Sequence, residues 1–197
     1  MLKLRKIVIT GVPGSGKSLA CSYFKELGAY VVDADKITHQ LLSKDITLIN
    51  EIRKIFGNKV FENEKINREK LADIVFNDFQ KLKLLEKLIH PKIFQKIVEK
   101  YEKVKKLNKY KLFIIEIALF FESKYFDKYF FDFFIEILSN KCFERLEQKH
   151  VDLDNYKKRM ENHFSQEEKA KKANLVITNN GTSLELLEKI KQFISNQ

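Results

Sequence analysis

The residues with the clearest chemical meaning form a glycine-rich segment near the N-terminus, Gly-Val-Pro-Gly-Ser-Gly-Lys-Ser at residues 11–18. This segment, the phosphate loop, fits the pattern G-x-x-x-x-G-K-[ST], whose backbone N–H groups surround phosphates. The lysine of the pattern, here Lys17, reaches the β- and γ-phosphates, and the hydroxyl, here Ser18, holds Mg²⁺. The segment therefore predicts a site for a nucleoside triphosphate. The predicted contacts are Gly11, Gly14, Ser15, Gly16, Lys17, Ser18 and Leu19.

The sequence on either side of the phosphate loop favours the same interpretation. Residues 7–10 are an apolar run that predicts a strand, and residues 17–27 have a helical pattern. A loop between a strand and a helix lies at the positive end of the helix dipole, which favours phosphate. The alternative, a chance match in a glycine-containing turn, does not account for both flanks.

The second predicted strand, which begins at Tyr30, ends in Asp33-Ala-Asp35, with two aspartates separated by one residue. Ligands of open α/β sheets bind outside the carboxyl ends of the strands, so Asp33 and Asp35 are expected to face the phosphate loop. A kinase that phosphorylates a hydroxyl group needs a carboxylate to accept its proton. The alternative is that one of the two caps the next helix. Alternate residues of a strand point the same way, so one aspartate can cap while the other acts as a base.

Strand and helix patterns alternate at both ends of the chain, which predicts an α/β fold with a parallel sheet. The last strand precedes an amphipathic helix with apolar residues at Leu184, Leu187, Ile190 and Ile194. With the phosphate loop, this order predicts a P-loop three-layer fold in a single domain of residues 1–197. The predicted strands are 7–10, 30–33, 113–119, 130–138 and 175–178.

Two stretches interrupt this alternation. Residues 36–110 show helical periodicity with almost no strand pattern, and they are too long for an ordinary crossover. They predict an inserted helical subdomain. Residues 146–172 are polar, helical in pattern and rich in basic side chains. Because they follow a strand and the helix that carries Arg145, they predict a mobile helical lid over the nucleotide.

Composition limits the kind of protein. The chain has 197 residues, of which 44% are hydrophobic, enough for one domain with a real core. No apolar run reaches the roughly 20 residues that cross a bilayer, and the N-terminus lacks the features of a signal peptide. The cysteines, Cys21 and Cys142, are too few for a disulfide framework. We therefore expect a soluble, cytoplasmic protein with no membrane partner.

The net charge of +10 raises the question of a nucleic-acid partner. Much of the excess is lysine interleaved with acids, as at residues 99–106, a pattern typical of solvated helix faces. The sequence has no RNP motif, zinc-finger or helix-turn-helix signature. A positive field also suits anionic phosphate substrates, so we expect small-molecule substrates and no nucleic acid. The oligomeric state stays open, with a monomer slightly favoured.

Further motifs, taken in order, resemble one family of P-loop kinases. After the phosphate loop and the Asp-Ala-Asp that ends at Asp35, the chain has a series of blocks similar to those of the dephospho-coenzyme A kinases. A phosphate loop alone is shared by many enzymes, whereas this ordered set is specific and covers nearly the whole chain. The matching blocks are Phe-Gly at 56–57, residues 66–76 with Arg68, His90-Pro91, residues 116–122, Arg145 and residues 176–181.

The resemblance implies an enzyme that uses ATP to phosphorylate the ribose 3′-hydroxyl of dephospho-CoA, the last step of coenzyme A synthesis. It implies that Asp35 is the catalytic base and that Lys17 contacts the γ-phosphate. Arg145 would stabilise the transferred charge, as cations do in phosphoryl transfer.

The resemblance also implies binding residues. Arg68 and His90 would lie in the helical insertion and bind dephospho-CoA, while Asn179, Asn180 and Gly181 would border the adenine of ATP. Each assignment has a plainer alternative. His90 before a proline would only end a helix, Arg68 would pair with a surface acid, and the Asn-Asn-Gly run would be a turn before the last helix.

The chain departs from the family pattern at a few positions. Ala118 stands where the family usually has proline, and Leu19 where it often has threonine. Lys149 and His163 replace a frequent arginine and a usual glutamine of the lid. A lysine cannot make the planar two-pronged phosphate contact of an arginine. These departures concern lid contacts and a strand end rather than the reacting groups.

Two other functions remain as alternatives. Another small-molecule P-loop kinase, such as a nucleoside monophosphate kinase, would share the phosphate loop but leaves the Asp-Ala-Asp, Asn-Arg and His-Pro motifs unexplained. A nucleotide-dependent switch that binds nucleic acid would show steep salt dependence of binding and no small-molecule phosphorylation.

Overall fold

The structure is a computed structural model that describes residues 3–151, 156, 160–161 and 163–196. The strands are β1 (Arg5–Thr10), β2 (Tyr30–Asp33), β3 (Phe61–Glu62), β4 (Lys65–Ile66), β5 (Leu112–Glu116), β6 (Phe133–Leu138) and β7 (Leu175–Thr178). The helices of the described residues are α1 (Lys17–Glu26), α2 (Ala34–Lys44), α3 (Ile46–Phe56), α4 (Arg68–Phe76), α5 (Phe79–Leu107), α6 (Cys142–Glu147), α7 (Gln166–Lys172) and α8 (Ser183–Ser195).

A parallel sheet with the strand order β2-β5-β1-β6-β7 forms the centre of the fold. In the central strand β1, Ile7 lies opposite Ile114 of β5 and Phe133 of β6. Ile7, Val8 and Ile9 are fully buried in succession, which is typical of a strand covered on both faces. The predicted α/β fold with a parallel sheet is confirmed.

Helices α1 and α8 pack together on one face of the sheet. The rings of Phe24 in α1 and Phe193 in α8 meet edge to face, with centroids 6.0 Å apart. The apolar stripe predicted for α8 was partly wrong, because Leu184 is 64% exposed while Leu186 is buried. Thr182 caps the helix, which begins at Ser183, so Leu184 lies in the first turn on the solvent side. The buried residues of α8 are Leu186, Ile190 and Phe193.

Two strand boundaries also differ from the prediction. The strand expected at 113–119 ends at Glu116, because the chain then turns and the carbonyl of Ala118 accepts a side-chain hydrogen bond from Thr10 at 3.0 Å. The strand expected at 130–138 begins only at Phe133. Before it, the Asp127 side chain accepts a hydrogen bond from the N–H of Tyr129 and stabilises a 3₁₀ turn.

The described chain divides into two compact units. The second unit is Ala34–Glu99, and the rest of the described chain, including the parallel sheet, is the first. The second unit holds α2, α3, α4 and most of α5, but also the short antiparallel hairpin β3–β4. The expectation of an almost wholly helical stretch missed this hairpin. Its turn places Asn63 and Glu64 at φ values of 48° and 62°, and a glutamate is an unusual residue there.

Within the second unit, α3 is fixed by its cap. The Asp45 carboxylate accepts a hydrogen bond from the N–H of Leu48 at 2.9 Å and forms an ion pair with Lys92 of α5 at 3.2 Å. The backbone hydrogen bond and the lysine lower the pKa of Asp45. Helix α5 continues through Pro91, so His90 does not end a helix. No helix of the described residues is long and apolar enough to cross a membrane.

Candidate active site

The phosphate loop connects β1 to α1 in a shape that only glycine can adopt at two positions. Gly16 precedes α1 with φ 97° and ψ 17°, the left-handed region, and a Cβ atom there would collide with the side-chain amide of Asn179. Gly14 has φ 84°, and a Cβ atom would lie 2.6 Å from the carbonyl oxygen of Cys142. The missing side chains let the backbone approach a ligand at the start of α1, where the helix dipole favours an anion.

A cavity of about 340 Å³ opens at this N-terminus, and all its lining residues belong to the first unit. It brings together most of the predicted nucleotide contacts with three cationic side chains, those of Lys17, Arg145 and Lys149. Lys149 lies four residues after Arg145, so both reach the same cavity. The lining residues are Gly14, Gly16, Lys17, Ser18, Leu19, Arg145, Lys149, Asn179, Gly181 and Ser183.

Arg145 of α6 binds the backbone of the phosphate loop. Its Nη1 donates to the carbonyl oxygens of Gly14 and Ser15, each at 3.2 Å, and its Nη2 donates to the carbonyl oxygen of Asn179 at 2.8 Å. A guanidinium has five N–H donors in a fixed plane, so it can keep these contacts and still present a charge to the cavity. The geometry gives Arg145 a structural contact in addition to its predicted electrostatic one.

The segment predicted to border adenine has distinct roles in the structure. Asn179 is buried, and its Nδ2 donates to the carbonyl oxygen of Ser15 at 2.8 Å. Asn180 does not line the cavity. Its Oδ1 instead accepts a hydrogen bond from the N–H of Asn140 at 3.0 Å. Gly181 lines the cavity immediately before the cap of α8. The run is therefore both a turn before the last helix and one wall of the cavity.

Glu116 is a site residue that motif reading did not assign. It is the last residue of β5, and its carboxylate accepts a hydrogen bond from the Ser18 hydroxyl at 2.5 Å. Cys21, one turn further along α1, also faces it: burial first, and then Glu116, raises the pKa of the Cys21 thiol. A hydroxyl and a carboxylate oxygen are the donors that Mg²⁺ prefers. The signal in the sequence was an acid at the carboxyl end of a buried strand.

Gly11, Ser15 and the three residues of the second unit do not line the cavity. Ser15 is fully buried, and its Oγ has no hydrogen-bond partner in the described part of the chain. Asp35 is exposed in the first turn of α2. The expectation that Asp33 and Asp35 share a strand was wrong, because α2 begins at Ala34, immediately after β2 ends.

Arg68 and His90 differ in their electrostatic setting. Arg68 is the exposed first residue of α4, and it forms no ion pair with another described residue. His90 is half-buried in α5. Burial lowers the pKa of His90, and the opposing effect of Glu86 is smaller, so its environment favours the neutral ring.

The predicted lid is described only in part. Of residues 146–172, positions 152–155, 157–159 and 162 lie outside the described residues. Its described parts include the end of α6, with Lys149 beyond it, and α7, which follows the half-buried His163.

Comparison with known proteins decides between the families of P-loop kinases. A sequence profile described as dephospho-CoA kinase matches residues 5–185. The curated dephospho-CoA kinase of Protochlamydia amoebophila is 37% identical over 196 residues, which are 98% of this chain and 96% of the relative. The chain belongs to the dephospho-CoA kinase family.

Solved structures agree with this membership. The dephospho-CoA kinase of Campylobacter jejuni is 29% identical, with a TM-score of 0.70 over 96% of this chain and 95% of that one. A Thermus thermophilus protein is 25% identical, with a TM-score of 0.82 over 98% of each chain. The dephospho-CoA kinase family uses ATP. A cavity lined by a phosphate loop and by cationic side chains is suited to the phosphates of ATP.

Proposed function

We propose that this chain is a dephospho-CoA kinase, which transfers the γ-phosphoryl group of ATP to the ribose 3′-hydroxyl of dephospho-CoA. The products are coenzyme A and ADP. The observation that carries the proposal is the cavity at the start of α1, which Lys17 of the phosphate loop and Arg145 both line. The chain that forms this cavity matches the family profile over residues 5–185.

The phosphates of ATP would bind at the cavity through the backbone N–H groups of the phosphate loop. Lys17 is a compact point charge on a flexible stem, suited to following the γ-phosphate as it moves to the acceptor. Arg145 and Lys149 add positive charge to the same cavity. Phosphoryl transfer depends mainly on positioning and on neutralising charge, so this set of cations suits the reaction.

The residues at the end of β5 fit a magnesium ion. The Ser18 hydroxyl and the Glu116 carboxylate, 2.5 Å apart, would hold it directly or through water. When bound, Mg²⁺ would neutralise charge on the β- and γ-phosphates. We therefore assign Ser18 to the metal and Glu116 to its immediate surroundings.

The acceptor side of the reaction belongs to residues of the second unit. Asp35 takes the proton of the 3′-hydroxyl, a role supported by its exposed carboxylate at the beginning of α2. Arg68 binds an anionic group of dephospho-CoA, because it is exposed and forms no ion pair with another described residue. His90 contributes hydrogen bonds rather than charge, because burial lowers the pKa of its ring and favours the neutral form. In this proposal, Asn179 and Gly181 border the adenine of ATP, and Asn180 holds the loop after β6.

Some properties of the working enzyme are included in the proposal. Residues 146–172 act as a lid, and 36–110 as the substrate-binding insertion. The enzyme acts in the cytoplasm on small molecules, with no nucleic-acid or membrane partner. Two features support this setting: both cysteines are buried and free, and lysines on α5 and α8 pair with acids three residues away.

A coupled assay of ADP release tests the proposed function. Dephospho-CoA, AMP, adenosine and pantothenate are offered in parallel with ATP and Mg²⁺, and the product is identified by mass spectrometry. We expect turnover of dephospho-CoA alone, with one phosphate added at the 3′-hydroxyl. Turnover of AMP with no turnover of dephospho-CoA would show a nucleoside monophosphate kinase instead.

A further inference from the structure

One lysine of α7 has its ammonium group fully buried beside two acids. Lys169 has 0% of its side chain exposed, and its Nζ donates to Glu122 Oε1 at 2.6 Å and to the carbonyl oxygen of Ala118 at 2.8 Å. Fully buried lysine and glutamate residues are rare in proteins unless they are paired. Lys169 does not line the cavity, so its position is not explained by contact with ATP.

The second acid is Glu136 of β6, which is also fully buried. Neither of its carboxylate oxygens has a hydrogen-bond partner in the described ranges, and the same holds for Glu122 Oε2. Burial raises the pKa of Glu136 to about 8, Lys169 acts against this rise, and Glu122 adds to it. The cluster of Lys169, Glu122 and Glu136 therefore places one buried ammonium beside three carboxylate oxygens that lack hydrogen-bond partners among the described residues.

The cluster is connected to the start of the phosphate loop. The carbonyl oxygen of Ala118, which Lys169 binds, also accepts a hydrogen bond from Thr10 Oγ1 at 3.0 Å. Thr10 is the last residue of β1, directly before the phosphate loop. One residue earlier in each segment, the N–H of Ile117 donates to the carbonyl oxygen of Ile9 at 3.0 Å.

The same segment is connected to the end of the phosphate loop. Glu116, two residues before Ala118, accepts the hydrogen bond of Ser18 at 2.5 Å. Residues 116–118 thus touch both ends of the phosphate loop, and Lys169 holds the far end of that segment. On its other side, Glu122 Oε1 also accepts a hydrogen bond from the N–H of Phe164 at 2.9 Å, which fixes the chain entering α7.

A buried ion pair of this kind specifies geometry better than it supplies stability. Well-packed apolar residues of similar size are often as stable as a buried pair, because both charges lose their hydration. An apolar pair could not hold the Ala118 carbonyl or the Phe164 N–H in place. The hydrogen bonds made by Lys169 and Glu122 are therefore what an apolar replacement would lose.

We propose that Lys169 is a positioning residue for phosphoryl transfer, acting through Ala118 and Glu122 to hold residues 116–118 so that Glu116 stays beside Ser18. This inference rests on the proposed function. Lys169 itself is fully buried and does not line the cavity at the start of α1. Its loss should lower kcat much more than it changes the KM for ATP or for dephospho-CoA, because binding groups remain while their alignment is lost.

The test uses the full chain with three variants: Lys169→Met, Glu122→Gln and the double variant. Lys169→Met leaves a buried acid without its partner and is expected to lower Tm, whereas the double variant removes both charges and is expected to recover much of that loss. The matched control is the exposed pair on α8, changed as Lys191→Met with Glu188→Gln, because it has the same chemistry at 2.8 Å in solvent.

In the double variant we expect Tm to recover while kcat stays about 10- to 100-fold below that of the unchanged chain, the usual range for supporting residues. The KM values of the double variant should change by less than about threefold. In the control variant, kcat and both KM values should also change by less than about threefold. Recovery of kcat together with Tm would show that the pair only stabilises the fold and would overturn the proposal, as would unchanged kcat in Lys169→Met. Turnover of dephospho-CoA by the unchanged chain, measured in the same assay, tests the proposed function separately.

Discussion

Asp33 and Asp35 differ in setting although they are separated by one residue. Asp33 ends β2 opposite Glu116 of β5 and is half-buried, whereas Asp35 is exposed on α2. We expect Asp35→Asn to lower kcat by roughly 10²- to 10⁴-fold with modest changes in KM, because asparagine cannot accept the proton. Steady-state kinetics at saturating Mg²⁺ measure this loss.

Asp33→Asn is the control for that measurement. We expect it to change Tm or the Mg²⁺ concentration required for activity rather than kcat at saturation. A loss of kcat in Asp33→Asn, with kcat preserved in Asp35→Asn, would assign the base to the other aspartate.

Lys17 and Lys25 lie on the same helix, one at the cavity and one exposed in the last turn. Lys17→Ala should reduce kcat by at least about 10²-fold, because removing one group that stabilises transition-state charge typically costs that much. Lys25→Ala should leave both kcat and Tm near those of the unchanged chain. Circular dichroism checks folding, and near-normal kcat in a folded Lys17→Ala variant would remove Lys17 from the mechanism.

The sequence could identify those site residues that lie close together in the chain, within one motif. Lys17 and Ser18 belong to one contiguous motif, so they could be named at once, although their roles stay predictions. Glu116 is 98 residues from Ser18, and Glu122 is 47 residues from Lys169. No local pattern connects such pairs, because only the tertiary fold brings the two residues together.

Among the elements of the second unit, the start of α4 and the end of α3 each carry an arginine. Arg68 is exposed and forms no ion pair with other described residues, while Arg53 binds Glu64 at 2.8 Å and stacks over the Phe61 ring at 3.9 Å. We expect Arg68→Ala to raise the KM for dephospho-CoA about 10- to 100-fold, the loss of one charge-assisted hydrogen bond. The KM for ATP should not change.

Arg53→Ala is the matched arginine variant. It should lower Tm, because the β3–β4 hairpin loses its stacked cation, and it should leave both KM values nearly unchanged. Equal shifts of the two KM values in Arg68→Ala would show instead that Arg68 is structural.

Elements were predicted better than their ends. The apolar runs of β1, β5 and β6 identified buried strands, because burial on both faces leaves an apolar pattern. Their boundaries depend on hydrogen bonds of single side chains, such as Asp127 at the 3₁₀ turn, and a hydrophobic pattern contains no information about these. The hairpin was missed for a related reason, because each strand has only two residues and the turn uses Glu64 at positive φ.

The stability of the whole molecule should depend on pH through Glu136. Its pKa is raised from 4.5 to about 8, mainly by burial. Between these values the folded state keeps a proton that the unfolded chain has released, so this group makes stability fall as pH rises, by up to about 1.4 kcal/mol per pH unit. Below 4.5 and above about 8 the contribution is constant.

Glu136→Gln removes this dependence. Urea unfolding at several pH values across that window should show a smaller fall in stability for the variant, which should exceed the unchanged chain in stability near the upper end. Glu188→Gln, an exposed acid on α8, is the control and should leave the slope unaltered. An identical slope in Glu136→Gln and the unchanged chain would mean that Glu136 does not hold the proton.

Because β1 lies at the centre of the sheet, the sheet can form only late in the synthesis of the chain. The N-H of Lys6 bonds the Asp132 side chain across 126 residues, and both strands that flank β1 are synthesised long after it. During synthesis on the ribosome, both edges of β1 and its Ile-Val-Ile run stay unpaired until β5 and β6 have been made. The contacts within residues 34–99 are local in sequence and can form earlier. The contacts of the phosphate loop with Arg145 and Asn179 can both form only after β7 has been synthesised, so we expect nucleotide to assist only the last stage of folding. We expect chains stalled before the synthesis of β5 to aggregate most readily, because both edges of β1 are still unpaired.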